Sequence, residues 1–393
     1  MHEIKSVRKS IPVATQNLLW ARAAGRCERE GCNRPLWRHL LTQRSGNKAE
    51  KAHIWSVAND GPRGREGIGD GDVDAVENLM LLCHDCHTEV DEKKNEPDYP
   101  ASRLREMKRA HEARIELVTG LGEDLRSHVL LFGARVGDVA GPLRFEAVAR
   151  SMLPARFPAE PSPIELGLAN SATTDRDPEF WELEMRNLER LFERRVRERT
   201  DAGAIHHVSL FARAPQPLLT ALGVLLTDIV PADVFPLRRE PPSFGFDDDA
   251  DPLLLEVEEP PNKSGPPALV LGFSATIDSS RITDVMGPDV AIWRLSATGP
   301  HNDIVRARHH LATFRSALRP LMDRIKAAHG QGELLHVFPA LPIPLAVELG
   351  RVRMPKADME LRLYDQISGK GFVPALDVRG ARVAASSDAE RAA

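Results

Sequence analysis

The chain has 393 residues, of which 42% are hydrophobic and 28% are charged, a composition typical of a soluble protein with two or three domains. No apolar stretch approaches the length of a membrane span, and no N-terminal segment has the character of a secretory signal. We therefore expect a cytoplasmic protein without a membrane partner. The formal net charge is -5, which argues against a surface that binds nucleic acid over its whole extent.

The first fifty residues have the opposite charge balance, with ten Lys or Arg against four Asp or Glu. Such a segment can contact a phosphate backbone. It can equally be a solvated charged face, and the sequence leaves both interpretations open.

All four cysteines lie in the first ninety residues, as the close pairs Cys27-x4-Cys32 and Cys83-x2-Cys86. Two such pairs can supply four thiolates at the corners of a tetrahedron, the coordination that Zn²⁺ prefers in structural sites. Disulfides or scattered core thiols are the alternatives, and the close pairing without a secretory segment favours zinc. The pattern therefore predicts one structural zinc that joins two distant segments.

Two histidines and an asparagine accompany the cysteine pairs. His53 lies between the pairs, Asn78 precedes the second pair, and His87 follows it at once. In this order the residues resemble the HNH nuclease family over about residues 15–115. The resemblance implies a ββα-metal core tied by a zinc ribbon. It also implies that His53 is the general base, Asn78 braces the loop, and His87 binds a catalytic divalent ion.

Phosphodiester hydrolysis needs an imidazole to activate water and a hard cation beside the phosphate, so the catalytic ion is expected to be Mg²⁺ or Mn²⁺ rather than the thiolate-bound zinc. Many HNH enzymes carry a metal ligand immediately before the base, where this chain has Ala52. The second ligand stays open among five nearby carboxylates: Glu50, Asp70, Asp72, Asp74 and Asp91. The alternatives to the catalytic roles are that His53 is an ordinary core or surface histidine, and that His87 belongs to the zinc site.

Apolar residues at helical spacing predict a helix over Ser102–Val118 that closes a nuclease-like domain, residues 1–120. Residues 121–165 are predicted to be a linker, because their second half is rich in proline. A strong helix is then expected, with Asp177 as its N-cap and Pro178 in its first turn.

From residue 166 to 380, strand patterns alternate with helix patterns. The predicted strands are Ile205–Phe211, Asp233–Leu237, Ala268–Ala275, Val290–Leu295, Leu334–Phe338 and Glu360–Tyr364. The predicted helices are Pro217–Leu226, Ile304–His329 and Pro344–Val352. Continuous apolar strands alternating with helices predict a mainly parallel sheet covered on both faces. The segment Pro241–Pro267 is predicted to be an exposed insertion, and residues 381–393 a mobile tail.

One segment of this second half echoes another. Residues 211–223 align without a gap with residues 338–350, and the initial phenylalanine, two prolines and the final glycine coincide. Each copy follows a predicted strand and opens a predicted helix, which is where open α/β sheets bind ligands and helix N-termini meet phosphate. The echo suggests a pseudo-twofold pocket. The alternative is that both copies are simply good helix starts.

Several motifs of this half resemble the SAVED domain over about residues 160–378: Gly272-Phe273-Ser274-Ala275, residues 338–342, Glu348-Leu349-Gly350-Arg351, Met354-Pro355-Lys356 and Tyr364-Asp365. The resemblance implies two fused Rossmann-like halves that bind a cyclic oligonucleotide second messenger. An HNH nuclease joined to SAVED resembles an effector of the CBASS antiphage systems, in which the messenger switches on the degradation of double-stranded DNA.

The pseudo-symmetry favours a cyclic dinucleotide, and the messenger is expected to act by assembling a homo-oligomer, a dimer or a tetramer. The candidate messenger contacts are Arg213, Trp293, Pro339, Ala340 and Lys356, with Lys356 as the phosphate cation or, on the bland interpretation, a solvated surface lysine. The fold class predicted is an α+β ββα-metal nuclease with a zinc ribbon, joined to an α/β domain of two fused Rossmann-like halves.

Two other functions remain compatible with the sequence. A modification-dependent HNH restriction endonuclease would need a basic, aromatic pocket for a base, whereas the C-terminal half is acidic and the chain has only two tyrosines. A non-catalytic, zinc-stabilised nucleic-acid-binding regulator would keep the cysteines but would not need His53 and His87.

Overall fold

A computed structural model describes residues 10–64, 68–69, 71–137, 143–168, 171, 173–177, 179–239 and 242–386. The chain divides into two compact units between Gly122 and Glu123, which we call the N-terminal unit and the C-terminal unit. Across these described residues, no helix has both the length and the apolar character needed to cross a membrane.

In its described residues, the N-terminal unit contains one antiparallel strand pair and three α-helices. Its elements are α1 (Val13–Arg22), β1 (Ala49–His53), β2 (Leu79–Cys83), α2 (His84–Asp91) and α3 (Ala101–Thr119). All five residues of the apolar strand β2 are buried, and α3 packs Leu104 and Met107 into the same core. The predicted helix over Ser102–Val118 is confirmed, since α3 extends only one residue further at each end.

The strand pair places the second cysteine pair at one end of β1 and His53 at the other. His53, the last residue of β1, lies opposite Leu79, and Ala49 lies opposite Cys83. Helix α2 begins at His84, directly after β2 ends. The order strand, strand, helix therefore places Cys86 and His87 within one turn of the strand end.

The C-terminal unit contains two main sheets and seven helices in its described residues. Its first elements are β3 (Arg126–Gly133), α4 (Phe145–Ser151), β4 (Phe157–Pro158), β5 (Ile164–Glu165), α5 (Phe180–Phe192), α6 (Glu198–Asp201), β6 (Val208–Arg213), α7 (Gln216–Leu226), β7 (Ala232–Val234), β8 (Arg238–Arg239) and β9 (Pro242–Ser243). The remaining elements are β10 (Leu255–Glu258), β11 (Pro267–Gly272), α8 (Ser279–Met286), β12 (Ala291–Ala297), α9 (Arg308–His329), β13 (Leu334–Ala340), α10 (Ile343–Arg351), β14 (Glu360–Ile367), β15 (Gly371–Arg379) and β16 (Arg382–Ala385).

Each of the two main sheets has parallel strands at its centre. The smaller sheet has the order β4-β3-β6-β7, with β5 also paired to β3, and all of these pairs are parallel. The larger sheet has the order β10-β12-β11-β13-β14-β15-β16. Its four central strands are parallel, whereas β10, β15 and β16 pair antiparallel at its edges. The predicted parallel sheet is thus confirmed for the central strands, and the alternation of strands and helices did not indicate the antiparallel edges.

Two predictions about connecting segments are wrong, and a third, the exposed insertion, is confirmed as exposed but omitted a strand. Residues 126–133, predicted within the linker, form β3, whose apolar run Val129–Phe132 is buried beside β6. The insertion contributes the edge strand β10, which pairs with β12. The tail contributes β16, which pairs with β15, while residues 387–393 lie outside the described residues. β3 and β10 gain a ladder of backbone hydrogen bonds from partners distant in the chain, whereas β16 pairs with β15 across a two-residue turn.

The strong helix α5 begins later than predicted. Its first residue is Phe180 and its N-cap is Glu179, while the carboxylate of Asp177 accepts a hydrogen bond from the Thr174 amide. Asp177 therefore caps the preceding turn instead of the helix, and Pro178 lies outside the described residues.

The two copies of the internal echo pack directly against each other. A methyl group built on Gly223 of α7 would lie 2.0 Å from the carbonyl oxygen of Val347, and one built on Gly350 of α10 would lie 2.0 Å from that of Thr220. Gly223 aligns with Gly350 in the echo, and Thr220 aligns with Val347. The contacts are therefore reciprocal, as a twofold axis between the copies requires, and only glycine permits this backbone approach.

We expect Gly223→Ala or Gly350→Ala to destabilise the C-terminal unit, although alanine is favoured over glycine in a helix by about 1 kcal/mol. The added methyl group must push two backbones apart, at a cost of about 1–3 kcal/mol or more. Denaturant unfolding measures the loss. Gly332→Ala is the control, because nothing lies within 4 Å of a methyl group at that position. Equal stability of the three variants would contradict the close crossing.

Candidate functional site

The four cysteines meet at one point of the N-terminal unit. Cys27 and Cys32 lie in a turn before Pro35, Cys83 ends β2, and Cys86 lies in the first turn of α2. Their sulfur atoms all lie within 4.8 Å of one another, and the Sγ atoms of Cys32 and Cys83 are 3.9 Å apart. Tetrahedral zinc with Zn–S bonds of about 2.3 Å separates its sulfurs by about 3.8 Å. The thiols therefore fit a zinc ion.

The electrostatics of the cluster favour a cation. Burial raises the pKa of Cys27 to about 12, and burial likewise raises the pKa of Cys86. Several thiolates can share this desolvated space only when a positive ion neutralises them. The backbone N–H of Cys83 donates to the Cys27 sulfur at 3.3 Å, an outer contact that orients a metal ligand.

His53 lies beside a carboxylate at the end of β1. Its Nε2 is 2.9 Å from Oδ1 of Asp74, and the imidazole side chain is 10% exposed. The Asn78 side chain accepts from the Trp55 amide at 2.9 Å and donates to the carbonyl oxygens of Trp55 and Val73. Asn78 thus ties the segment after His53 to the segment before Asp74, so both members of the pair are held in place.

His87 lies beside a second carboxylate, one turn further along α2. Its Nε2 is 3.1 Å from Oδ2 of Asp91. This hydrogen bond raises the pKa of His87 above its ordinary value. Burial alone would raise the pKa of Asp91, but the hydrogen bonds from His87 and Arg63 hold it below its usual range.

Arg63 connects the two histidine sites, and the sequence interpretation missed it. Its guanidinium side chain is 3% exposed and bonds Oδ1 of Asp91 at 2.6 Å. It also donates to the carbonyl oxygens of Ile54, Val90 and His53, at 2.6, 2.7 and 3.3 Å. One buried side chain therefore fixes the end of β1 against the end of α2. The only sequence signal was its place in a turn, Gly61-Pro62-Arg63-Gly64.

The five candidate second ligands separate in the structure. Asp91 contacts His87, Asp74 contacts His53, and Glu50 lies 3.7 Å from Nδ1 of His84. Asp72 accepts from the Asp74 amide, and Asp70 lies outside the described residues. Over the part of the chain that is described, only the four cysteines form a group of three or more possible metal ligands. His87 and Asp91 offer two ligands, so a catalytic ion would complete its shell with water and phosphate oxygens.

In the C-terminal unit, the echo segments bring two strand ends together. Arg213 is the last residue of β6 and Ala340 the last of β13. The side-chain oxygen of Gln216, at the start of α7, accepts from the amide of Leu341 at 2.8 Å. The Ala340 carbonyl accepts from the amides of Phe273 and Ser274, just after β11. We call this side, where β6, β11 and β13 end, the carboxyl edge.

Arg213 is the cation of the carboxyl edge. Its side chain is partly buried, and among the described residues no carboxylate pairs with its guanidinium. The helix starts offer fewer donors than expected, because Pro217 and Pro344 occupy the first turns of α7 and α10 and have no N–H. A phosphate here would therefore depend on Arg213 more than on the helix N-termini.

Three of the other predicted messenger contacts do not lie open at this edge. Trp293 is fully buried in the core, and its indole N–H donates to His329, so it cannot stack on a base. Pro339 is buried within β13. Lys356 is exposed, but it lies between the end of α10 and the start of β14, and its carbonyl accepts from Gln331, just before β13. Because β13 and β14 are parallel, Lys356 lies at the opposite, amino edge.

Comparison with known proteins identifies the C-terminal unit. Residues 188–378 match the family model of the SAVED domain, the SMODS-associated and fused to various effectors sensor domain. The chain therefore carries a SAVED domain over these residues. None of the curated proteins matches the chain.

Similar solved structures include a SAVED/CARF-domain containing receptor, Cap4, from Acinetobacter baumannii. Its structure with the cyclic trinucleotide 2'3'3'-cAAA is 12% identical, with a TM-score of 0.43, and the match covers 73% of this chain and 67% of that chain. Another structure of the receptor is 11% identical, with a TM-score of 0.41 and coverage of 73% and 61%. The structure with 3'3'3'-cAAA is 12% identical, with a TM-score of 0.40 and coverage of 70% and 59%. The chain thus spans about three fifths to two thirds of that receptor's length.

We expect Cys27→Ser to lose the bound metal and to unfold the N-terminal unit while the C-terminal unit stays folded. A metal that binds only the folded thiol cluster contributes its binding energy to folding. Elemental analysis measures the zinc, and limited proteolysis shows which unit is cut. Thr88→Ala, at an exposed position of α2, is the control. Zinc-free wild-type protein with an intact N-terminal unit would refute the structural metal.

Proposed function

We propose that this protein is a metal-dependent DNA endonuclease of the HNH type, switched on by a cyclic oligonucleotide, and that it acts as a CBASS antiphage effector. One observation carries the nuclease part: two histidine–carboxylate pairs, His53 with Asp74 and His87 with Asp91, are joined through Arg63 beside a cluster of four thiols. The SAVED match supports the sensor part.

His53 is the general base of the proposed reaction. It takes a proton from the attacking water, and Asp74, 2.9 Å from its ring, stabilises the imidazolium that forms. Asn78 and Arg63 act by position, because they hold the backbone of His53 and of the two residues that follow it. A base fixed in this way needs little reorganisation when the substrate arrives.

His87 and Asp91 are the proposed ligands of the catalytic ion. Their facing atoms are 3.1 Å apart, and two adjacent ligands of an octahedral ion, each about 2.1 Å from the metal, lie about 3.0 Å apart. A mixed imidazole and carboxylate set suits Mg²⁺ or Mn²⁺. The bound ion would supply positive charge where negative charge builds up on the phosphate oxygens. Asp91 thereby takes the place that Ala52 leaves unfilled.

The carboxyl edge of the C-terminal unit is the proposed messenger site. Arg213 provides the cation, and the amides that follow β11 and β13 line the same edge. The reciprocal packing of α7 and α10 gives the edge a pseudo-twofold axis, so we expect a cyclic dinucleotide. The messenger must bind the active state more tightly than the inactive one, and we propose that the active state is a dimer or tetramer acting on double-stranded DNA.

His53→Ala is expected to lower messenger-stimulated DNA cleavage by about 10²- to 10⁴-fold, the usual contribution of a general base. His87→Ala should lower it through loss of the catalytic ion. Plasmid cleavage with Mg²⁺ and a panel of cyclic dinucleotides and trinucleotides measures the effect, with His301→Ala as the control. Full cleavage by the His53 variant would falsify its role as the base. A wild type that binds DNA but never cuts would instead indicate a regulator.

Arg213→Gln is expected to weaken messenger binding by about 1.5–3 kcal/mol, the value of a hydrogen bond to a charged group. Lys356→Gln is the matched control, because it removes the same charge at the opposite edge. Calorimetry measures both affinities, and light scattering measures the mass with and without messenger. Unchanged affinity in the Arg213 variant removes this residue from the site. A wild-type mass that does not respond to messenger removes assembly as the switch.

A further inference from the structure

A hairpin-shaped loop with one isolated bridge, between Arg38 and Ser45, lies between the two cysteine pairs, and we call residues 36–48 the basic hairpin. Its two sides are joined by four backbone hydrogen bonds, from Lys48 to Leu36, from Gly46 to Trp37, from His39 to Arg44 and from Gln43 to His39. At its tip, the Thr42 amide donates to the His39 ring and the Gln43 side chain donates to the Leu40 carbonyl. The tip is therefore an ordered turn.

This turn holds large apolar side chains in solvent. Leu41 is 88% exposed, Leu40 46% and Trp37 45%. Every residue from Leu40 to Lys48 is exposed. A turn that exposes two adjacent leucines to solvent is a candidate interaction site. A partner that covered both leucines would gain the free energy of burying their side chains.

The charges of the hairpin specify the partner. Residues 34–48 include Arg34, Arg38, Arg44 and Lys48 and no Asp or Glu. Arg34 pairs with Asp85. Within the described residues, no carboxylate pairs with Arg38, Arg44 or Lys48. Three uncompensated cations around an apolar tip fit a polyanion that also has apolar surface.

The hairpin lies beside the start of α2, the helix that carries the proposed metal ligands His87 and Asp91. It forms one wall of a cleft of about 530 Å³, and Glu50, Cys83, His84 and Asp85 lie on the other side. His84 and His87 are three residues apart on α2 and share a face of that helix. A molecule in the cleft would therefore extend towards the His87–Asp91 pair.

We propose that the basic hairpin enters a groove of duplex DNA, with Arg38, Arg44 and Lys48 on phosphates and Leu40 and Leu41 against the bases as an apolar wedge. Proteins that bind the minor groove insert apolar side chains, leucine among them, between base steps. This inference rests on the proposed DNA endonuclease and names the part of it that holds the substrate.

The test separates the two contributions. Binding of the full-length protein to a fluorescent duplex is measured by anisotropy at several salt concentrations, without added Mg²⁺ or Mn²⁺. Each phosphate contact contributes about 0.9 to the slope of log affinity against log salt. We therefore expect Arg38→Gln/Arg44→Gln/Lys48→Gln to lower the slope by about 2–3. Leu40→Ser/Leu41→Ser should weaken binding about tenfold with the slope unchanged.

Each variant has a matched control. Leu117→Ser/Val118→Ser removes two exposed apolar side chains from α3, which are 49% and 44% exposed. Arg186→Gln/Arg190→Gln/Arg194→Gln removes three exposed charges from the C-terminal unit. Zinc content and thermal unfolding should equal those of the wild type in all four, since the changed residues are exposed except Arg38, which is half-buried and has no carboxylate partner within the described residues.

The outcomes are distinct. Leucine variants that bind DNA like the Leu117/Val118 control overturn the wedge, and a charge variant that matches the C-terminal control overturns the phosphate contacts. If the leucine change alters the mass in light scattering, the hairpin contacts a second copy of the chain. If the wild type binds anionic vesicles and the leucine change abolishes that binding, the hairpin contacts a membrane. Either result overturns the proposal.

The hairpin and the nuclease can also fail separately. If DNA binding follows the expected pattern but messenger and Mg²⁺ never produce cleavage, the hairpin proposal stands and the nuclease proposal fails. If cleavage is normal in every hairpin variant, only the hairpin fails.

Discussion

The crossing of α7 and α10 is the constraint on which the C-terminal unit depends. Gly223 and Gly350 let each backbone touch the carbonyl of the other helix, and the Thr220 hydroxyl adds a hydrogen bond to the Ala346 carbonyl. Each helix follows directly from a central strand of its own sheet. Fixing the helices against each other therefore fixes the two sheets, and places the ends of β6 and β13 side by side. The carboxyl edge is a consequence of this packing.

The N-terminal unit needs ties between its loops, because its strand pair is short and its loops are long. The cysteine cluster joins the turn at Cys27 to the end of β2, and Arg63 joins the end of β1 to the end of α2. These two ties lie on either side of α2, which carries His84 and His87. Long loops are thus held where a small apolar core alone would leave them free.

Buried side chains whose polar atoms are hydrogen-bonded to nearby backbone hold the candidate site in place. Asn78 uses both ends of its amide, and Arg63 uses three of its nitrogens. Both side chains are buried, so an unpaired donor would cost about 1–3 kcal/mol. The same cost makes the arrangement specific, because few other backbone conformations would satisfy these groups. The basic hairpin contrasts with them, since its leucines are exposed and no carboxylate within the described residues pairs with Arg38, Arg44 or Lys48.

The sequence by itself determined the features that depend on residue type and on spacing along the chain. Thiol spacing indicated a four-sulfur cluster, apolar periodicity located α3 and the central parallel strands, and the repeated phenylalanine, prolines and glycine identified the echo. The SAVED resemblance over about residues 160–378 agrees with the family match at residues 188–378. These features depend on neighbours along the chain or on residue type, which sequence patterns report directly.

Tertiary structure alone decided which distant residues meet. The strand at residues 126–133 is recognisable only beside β6, and Trp293 belongs to the core because both sheet faces are covered. Lys356 lies at the edge opposite Arg213, because α10 carries the chain back across the sheet before β14 begins. Arg63 acquires its role from four carbonyl and carboxylate partners that lie 9 to 28 residues away in the chain. No local pattern encodes such contacts, because their free energy arises only when the chain has folded.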